Sequence, residues 1–194
     1  MQLDLEPGAI LILSVGFGIT YVVISFIRGS LTWKGVLFNT AFFAYMVMLL
    51  DVTLMPLPLS REAVSPYAEI NNFIPFASIY ETLTRSISLR IALRNILGNV
   101  LMLMPLGMFA PILWNQRSLF SVLKTTLGLS VAIELTQYFI GFLLRHNYRN
   151  VDIDDVFLNT VGALLGFLVF KLLYPWIRAV LDESSQTNTH QSQV

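Results

Sequence analysis

Three pairs of polar side chains stand at helical spacing inside otherwise apolar sequence. The members of each pair are three or four positions apart, and the pairs are Asn95 with Asn99, Glu134 with Gln137, and Asp155 with Asn159. Side chains at these spacings lie on one face of a helix. Carboxylates and amides that are brought together can bind a polar headgroup, handle a proton or act as a general base. We therefore expect the chemistry of this chain where these pairs meet.

Charged side chains flank the pairs and complete the candidate site. A guanidinium group matches a phosphate or carboxylate bidentately, whereas acids at a helix start also cap free amides and complement the helix dipole. The candidate catalytic residues are Glu134, Asp152 and Asp155. The predicted ligand-binding residues are Arg90, Arg94, Asn95, Asn99, Glu134, Gln137, Arg149, Asp152, Asp155 and Asn159.

These polar residues also have purely structural interpretations. The amides are typical of interhelical hydrogen bonds in membrane bundles. Glu134 paired with Arg94 or Arg149 would hold the bundle together. A Mg²⁺ or Ca²⁺ site made by Asp154, Asp155 and Glu134 is disfavoured, because Glu134 lies deeper than the two aspartates. We predict neither a metal nor a cofactor.

Five apolar runs must position these groups, and each approaches or exceeds the roughly 20 residues needed to cross a bilayer. They cover about 9–27, 36–55, 96–114, 119–144 and 156–174. The first lacks a basic start, so we interpret it as a retained span and not a signal peptide. Over about 76–94 apolar residues recur at spacings of three and four, which predicts an amphipathic helix on the membrane surface. A solvated helix packed on the bundle is the alternative.

The predicted fold is all-α: a polytopic membrane bundle of five transmembrane helices plus the amphipathic interfacial helix. A single transmembrane domain occupies 1–181, and a disordered tail follows over 182–194. Consecutive spans alternate in direction, so the polar pairs of spans three, four and five converge on one membrane face as a one-sided cavity. Basic residues divide evenly between the two faces, so orientation is a preference: the amino terminus and the cavity are expected to be extracytoplasmic.

Composition narrows the classes of protein. Hydrophobic residues make up 55% of the chain and charged residues 12%, about half the charge of a soluble domain. Twelve basic and twelve acidic residues cancel, which argues against a nucleic-acid partner. Cysteine is absent and histidine occurs twice, so thiol chemistry and a histidine-built metal site are disfavoured. We interpret His146 as an interfacial loop residue.

Four segments, in this order, resemble the signature of the VanZ-like family. They are NFIPF (72–76), NILGNVLMLMPLG (95–107), IELTQ (133–137) and RNVDIDDVFLNTVG (149–162). The resemblance covers roughly residues 40–172. It implies a small multi-pass protein of the bacterial cytoplasmic membrane, in a family named after an accessory protein of teicoplanin (glycopeptide) resistance.

Residues and resemblance together lead to one leading hypothesis and an alternative. The leading hypothesis is a non-enzymatic cell-envelope protein whose cavity binds a glycopeptide antibiotic, an anionic membrane lipid or a lipid-linked cell-wall precursor. The alternative is a membrane-embedded hydrolase or transferase with Glu134 as general base. A transport role ranks lower, since few polar residues continue into the other leaflet. Self-association as a homo-oligomer stays open.

Overall fold

The structure is a computed structural model that describes residues 2–3, 7–29, 32–55, 57–58, 71–85, 88–144 and 149–191. Six α-helices occupy this part of the chain: α1 (Pro7–Ile27), α2 (Trp33–Leu54), α3 (Ala77–Arg85), α4 (Leu89–Leu113), α5 (Leu119–Leu144) and α6 (Ile153–Gln191). Strands β1 (Gln2–Leu3) and β2 (Leu57–Pro58) pair antiparallel. The helical architecture is confirmed, and this two-residue pairing is an addition to it.

Four helices are long and apolar enough to cross a membrane. They are α2, α4, α5 and the Ile153–Trp176 part of α6. Large apolar side chains on them face outward, among them Phe120 and Leu172, and such surfaces are rare in water-soluble monomers. The chain is therefore a multi-pass membrane protein. The apolar stretch Leu11–Ile27 of α1 is shorter, so a fifth span there stays a prediction.

The predicted amphipathic helix over about 76–94 is two elements. Helix α3 ends at Arg85 and α4 begins at Leu89, well before the predicted start of span three at 96. Ser88 has an extended backbone and its hydroxyl oxygen accepts a hydrogen bond from the Ile91 amide at 3.4 Å, which caps α4. The apolar periodicity continued across this boundary because the first turns of α4 carry apolar residues, such as Ile91, as well as exposed arginines. The location of α3 at the membrane surface stays a prediction.

Helix α6 is longer than the sequence pattern suggested. It does not close at 174 but continues past Pro175 to Gln191, so most of the predicted disordered tail over 182–194 is helical. Residues 182–194 contain neither glycine nor proline. Extending an existing helix also avoids the cost of nucleation, so a polar composition alone does not end it. Residues 192–194 lie outside the described residues.

Helices α4 and α6 form the closest packing in the bundle. A Cβ atom built on Gly162 would lie 1.9 Å from the Val100 carbonyl oxygen, and one on Gly166 would lie 1.9 Å from that of Met104. From the first contact to the second, both helices advance by four residues in the same direction, so α4 and α6 run parallel. Alternating span directions require this of spans three and five. Close approach through small residues is how membrane helices gain packing energy in lipid.

A helical hairpin of α1 and α2 packs against this centre. The rings of Phe17 and Phe43 stack with centroids 4.1 Å apart. The Tyr45 hydroxyl donates to the Met102 carbonyl oxygen at 3.0 Å, three residues before Pro105. Because proline lacks an N–H and disturbs the helix ladder behind it, this side-chain hydrogen bond joins α2 to α4 where the α4 backbone is weakened.

Candidate ligand-binding site

The carboxyl ends of α2 and α5 meet the loop that precedes α6. The Gln137 side-chain amide donates to the Thr53 carbonyl oxygen at 2.8 Å. The Arg149 guanidinium donates to the Met55 carbonyl oxygen. Thr53 lies in the last turn of α2 and Met55 is the C-cap residue that follows it, where backbone carbonyls have no partner within the helix. These two side chains therefore fix the end of α2 beside the polar end of α5.

Glu134 lies inside the bundle, one turn deeper than Gln137. Its side chain is buried, with 7% exposure, and Oε2 accepts a hydrogen bond from the Asp152 amide at 3.0 Å. Among the described residues it forms no ion pair, so the predicted bond to Arg94 or Arg149 is not formed. Glu134 instead holds the backbone of the loop from which α6 starts.

Asp152 connects that loop to the segment before α3. Its Oδ1 accepts from the Asn72 side-chain amide and from the Asp154 amide, each at 2.9 Å. The two backbones form a parallel β-bridge, in which Asn72 donates to the Val151 carbonyl oxygen at 2.8 Å and accepts from the Ile153 amide at 3.0 Å. Asp152 thus has a structural role in addition to its place among the candidate residues.

Asp154 caps α3 from a distant part of the chain and was missing from the predicted site. Its carboxylate accepts from the amides of Phe76 at 2.5 Å, Ser78 at 3.0 Å and Ile79 at 3.2 Å. These are free donors at a helix start. Phe76 has φ +66°, a conformation that costs energy for a bulky side chain. Asp154 therefore holds both the helix and the strained residue in front of it.

We expect Asp154→Ala to release α3. Three amides lose their acceptor, and loss of a helix cap costs about 1–2 kcal/mol. Hydrogen exchange of the full chain should show faster exchange over 76–85 and unchanged exchange in α5. The matched control is Glu81→Gln, which removes a carboxylate from an exposed ion pair within α3. Equal exchange in α3 of wild type and Asp154→Ala would contradict the capping role.

Polar groups of α4, α5 and α6 meet beside this loop. The Asn99 side-chain amide donates to Asp155 Oδ1, and that of Asn159 donates to the Ser130 hydroxyl oxygen at 2.9 Å. Asp155 also experiences electrostatic repulsion from Glu134 and Asp152. We call this group the carboxylate–amide site, made up of Asn99, Glu134, Asp152, Asp155 and Asn159.

Three further predicted residues lie outside this site. Arg90, Arg94 and Asn95 occupy the first turns of α4 with exposed side chains. These residues therefore lie at the amino-terminal end of α4, and Asn99 lies one turn further into the helix. Sequence spacing paired Asn95 with Asn99 correctly on one helix, but only Asn99 is deep enough to contact α6.

The carboxylates of the site lack cationic partners. Across the described part of the chain, the ion pair between Arg85 and Glu81 is the only one within 4.0 Å. The same residues include no group of three or more histidine, cysteine or acidic side chains that could hold a metal ion. His146 lies outside the described residues. The site can therefore accept hydrogen bonds and attract positive charge.

Comparison with known proteins gives one match. A family model described as VanZ/LLP1 matches residues 42–174, which include α4, α5, the carboxylate–amide site and the carboxyl-terminal part of α2 from residue 42 onward. No curated protein and no solved structure matches the chain. Helix α1 lies outside the matched region, whereas the carboxylate–amide site lies within it.

Proposed function

The chain belongs to the VanZ/LLP1 family, and from this we propose that it is a cell-envelope membrane protein that binds the polar headgroup of an amphiphile. The ligand is a glycopeptide antibiotic, an anionic lipid or a lipid-linked wall precursor, and binding contributes to teicoplanin-type resistance. One observation carries the proposal: polar side chains from three span-length helices gather at one end of the bundle. Polar groups at membrane depth are costly and usually mark a site.

The surroundings of the site suit a ligand that enters from the lipid. Arg90 and Arg94 are exposed at the start of α4, where a guanidinium group can meet a phosphate or carboxylate bidentately. Helix α3, which precedes α4 in the sequence, has exposed apolar side chains that include Tyr80 and Leu83. An amphipathic helix of this kind lies in the interface between headgroups and acyl chains. In this proposal α3 gates lateral entry, and the site faces the extracytoplasmic side; reporter fusions at both termini test the orientation.

Resistance in cells tests the proposed function. Cells that carry Arg94→Ala or Glu134→Gln are each expected to tolerate only as much glycopeptide as cells without the protein. Glu134→Gln retains an oxygen that can accept from the Asp152 amide, so the fold should persist. The matched controls are Arg28→Ala, an exposed arginine after α1, and Glu81→Gln. If both test variants reach wild-type membrane levels and still protect fully, the site is assigned wrongly.

An enzymatic role is the second candidate, and the unpaired carboxylates favour it. Glu134 and Asp155 lie close enough to interact electrostatically, and one of two such acids can serve as general base. Proton abstraction requires the base within about 3 Å of the substrate proton. The test is turnover of a lipid-linked wall precursor by the purified full chain. Product that forms with wild type and not with Glu134→Gln would favour a hydrolase or transferase over a receptor.

A further inference from the structure

We propose that the carboxylate–amide site recognises a protonated amine in the headgroup of its ligand. This inference rests on the proposed function and names the chemistry of the group that reaches deepest into the bundle. It differs from the expectation drawn from the sequence, in which arginines and an anion dominated recognition. The arginines of α4 remain at the exposed end of the helix, whereas the interior of the site is acidic.

Charge is the first line of argument. Asp155 is repelled by the nearby carboxylates of Asp152, Glu134 and Asp154, and no cationic side chain among the described residues lies within ion-pair distance of these acids. Buried carboxylates are costly unless a positive charge or hydrogen-bond donors compensate them. A ligand that carries a positive charge removes this cost when it binds, whereas an anionic group would increase it.

Unsatisfied acceptors are the second and independent line. Asn159 is 1% exposed, and its Oδ1 has no hydrogen-bond partner although its Nδ2 donates to Ser130. Asn159 lies one helical turn from Asp155 on the same face of α6, and Ser130 lies one turn from Glu134 on α5. The unsatisfied oxygen therefore lies in the α5–α6 interface directly below the carboxylates. Buried polar atoms in proteins nearly always have a hydrogen-bond partner, so a ligand donor is a candidate partner for this oxygen.

The other unsatisfied oxygens near this end of the bundle are of the same kind. Asp51 Oδ1 near the end of α2 and Asn150 Oδ1 in the loop before α6 are buried atoms without a donor. All three atoms are acceptors without a donor, so the complementary ligand is rich in donors. A protonated primary amine supplies three N–H donors and one positive charge, which satisfies both requirements with one group.

Binding of paired amphiphiles to the purified full chain tests the inference. Dodecylamine, dodecanoate and dodecanol share one chain and differ in the charge of the headgroup, and butylamine supplies the amine without the chain. Affinities are measured by calorimetric titration in a neutral maltoside detergent. We expect dodecylamine to bind at least about tenfold more tightly than dodecanol, and dodecanoate to bind more weakly than either, because charge interactions strengthen away from water.

Isosteric variants test whether the amine binds at the carboxylate–amide site. Glu134→Gln and Asp155→Asn keep an accepting oxygen for Asp152 and Asn99 while removing a charge, and each is expected to weaken dodecylamine binding at least about tenfold. Asn159→Asp keeps the unsatisfied Oδ1, replaces the Nδ2 donor facing Ser130 with a second oxygen that the Ser130 hydroxyl can donate to, and adds a negative charge, so it is expected to strengthen dodecylamine binding. Glu81→Gln, on the exposed surface of α3, is the matched control and should bind as wild type does.

The outcomes separate this inference from the proposed function. Tighter binding of dodecanoate than of dodecylamine, or full dodecylamine binding by Glu134→Gln and Asp155→Asn, overturns the amine assignment and leaves an amphiphile receptor in place. Equal binding of butylamine and dodecylamine supports the amine and contradicts the amphiphile. A third outcome combines the two experiments: Glu134→Gln cells lose resistance, but the wild-type protein binds no amine. This outcome overturns the amine assignment and leaves the proposed function in place.

Discussion

Alanine at Gly162 or Gly166 is expected to prevent stable assembly of the bundle. The new methyl carbon would lie 1.9 Å from a carbonyl oxygen of α4 in either case, and one at Gly107 would lie 2.1 Å from the Ala163 carbonyl oxygen. Backbone atoms cannot move aside as a flexible side chain does. Overpacking a core typically costs about 1–3 kcal/mol, and here the two helices must separate along their length, so we expect a cost at or above the top of that range.

The matched controls are alanine at Gly98 and Gly128. A Cβ atom at either position meets no atom within 4 Å, and Gly98 lies in the same helix as Gly107. Because alanine favours a helix over glycine by about 1 kcal/mol, these variants should be equally or more stable than wild type. Thermal unfolding in detergent compares the two test variants and the two controls with the wild-type protein. Wild-type stability of Gly162→Ala and Gly166→Ala would show that α4 and α6 do not pack this closely.

Parts of the fold that depend on local pattern were predicted well. The fourth apolar run, 119–144, coincides with α5 (Leu119–Leu144), because a short polar connection bounds it on one side and a charged loop on the other. The small residues at 162 and 166 marked the contact face of α6, since only glycine permits such a distance in lipid. Each of these signals is confined to one helix.

Features that depend on contacts between distant segments were not predictable in the same way. Asp154 caps α3 across 75 to 78 positions, and the bridge of Asn72 with Asp152 spans 80. A single sequence shows only that Asp154 stands at a helix start, where an aspartate ordinarily caps its own helix. The sequence could place Glu134 near the loop, but it could not show that its partner is the Asp152 amide and not an arginine.

The sequence therefore predicted which residues meet at this end of the bundle better than it predicted their electrostatic environment, and their role in binding stays a prediction. Helical spacing and alternating spans brought Asn99, Glu134, Asp155 and Asn159 to one end of the bundle, and the structure contains the corresponding contacts. The structural interpretation of the sequence paired Glu134 with Arg94 or Arg149. Neither pair forms, because Arg94 lies on the exposed side of α4 and Arg149 donates to the Met55 carbonyl oxygen.

Two substitutions of Glu134 should separate its structural role from its role in binding. Glu134→Ala leaves the buried Asp152 amide without an acceptor, which costs about 1–3 kcal/mol, and it also empties part of the α5–α6 interface. The unfolding midpoint should fall by roughly 2–4 °C for each kcal/mol lost in a chain of this size. Glu134→Gln keeps the hydrogen bond and should unfold close to wild type.

Both variants lack the carboxylate charge, so both are expected to lose glycopeptide protection. Only Glu134→Ala is expected to lose stability as well. The control is Thr136→Ala on the exposed side of α5, where the hydroxyl contacts only the Ala132 carbonyl oxygen of its own helix. Protection by Glu134→Gln at the wild-type level would remove the carboxylate from the binding role. An unchanged midpoint for Glu134→Ala would instead show that the Asp152 amide does not depend on Glu134, and the loop before α6 would then have to be held by the Asn72 bridge alone.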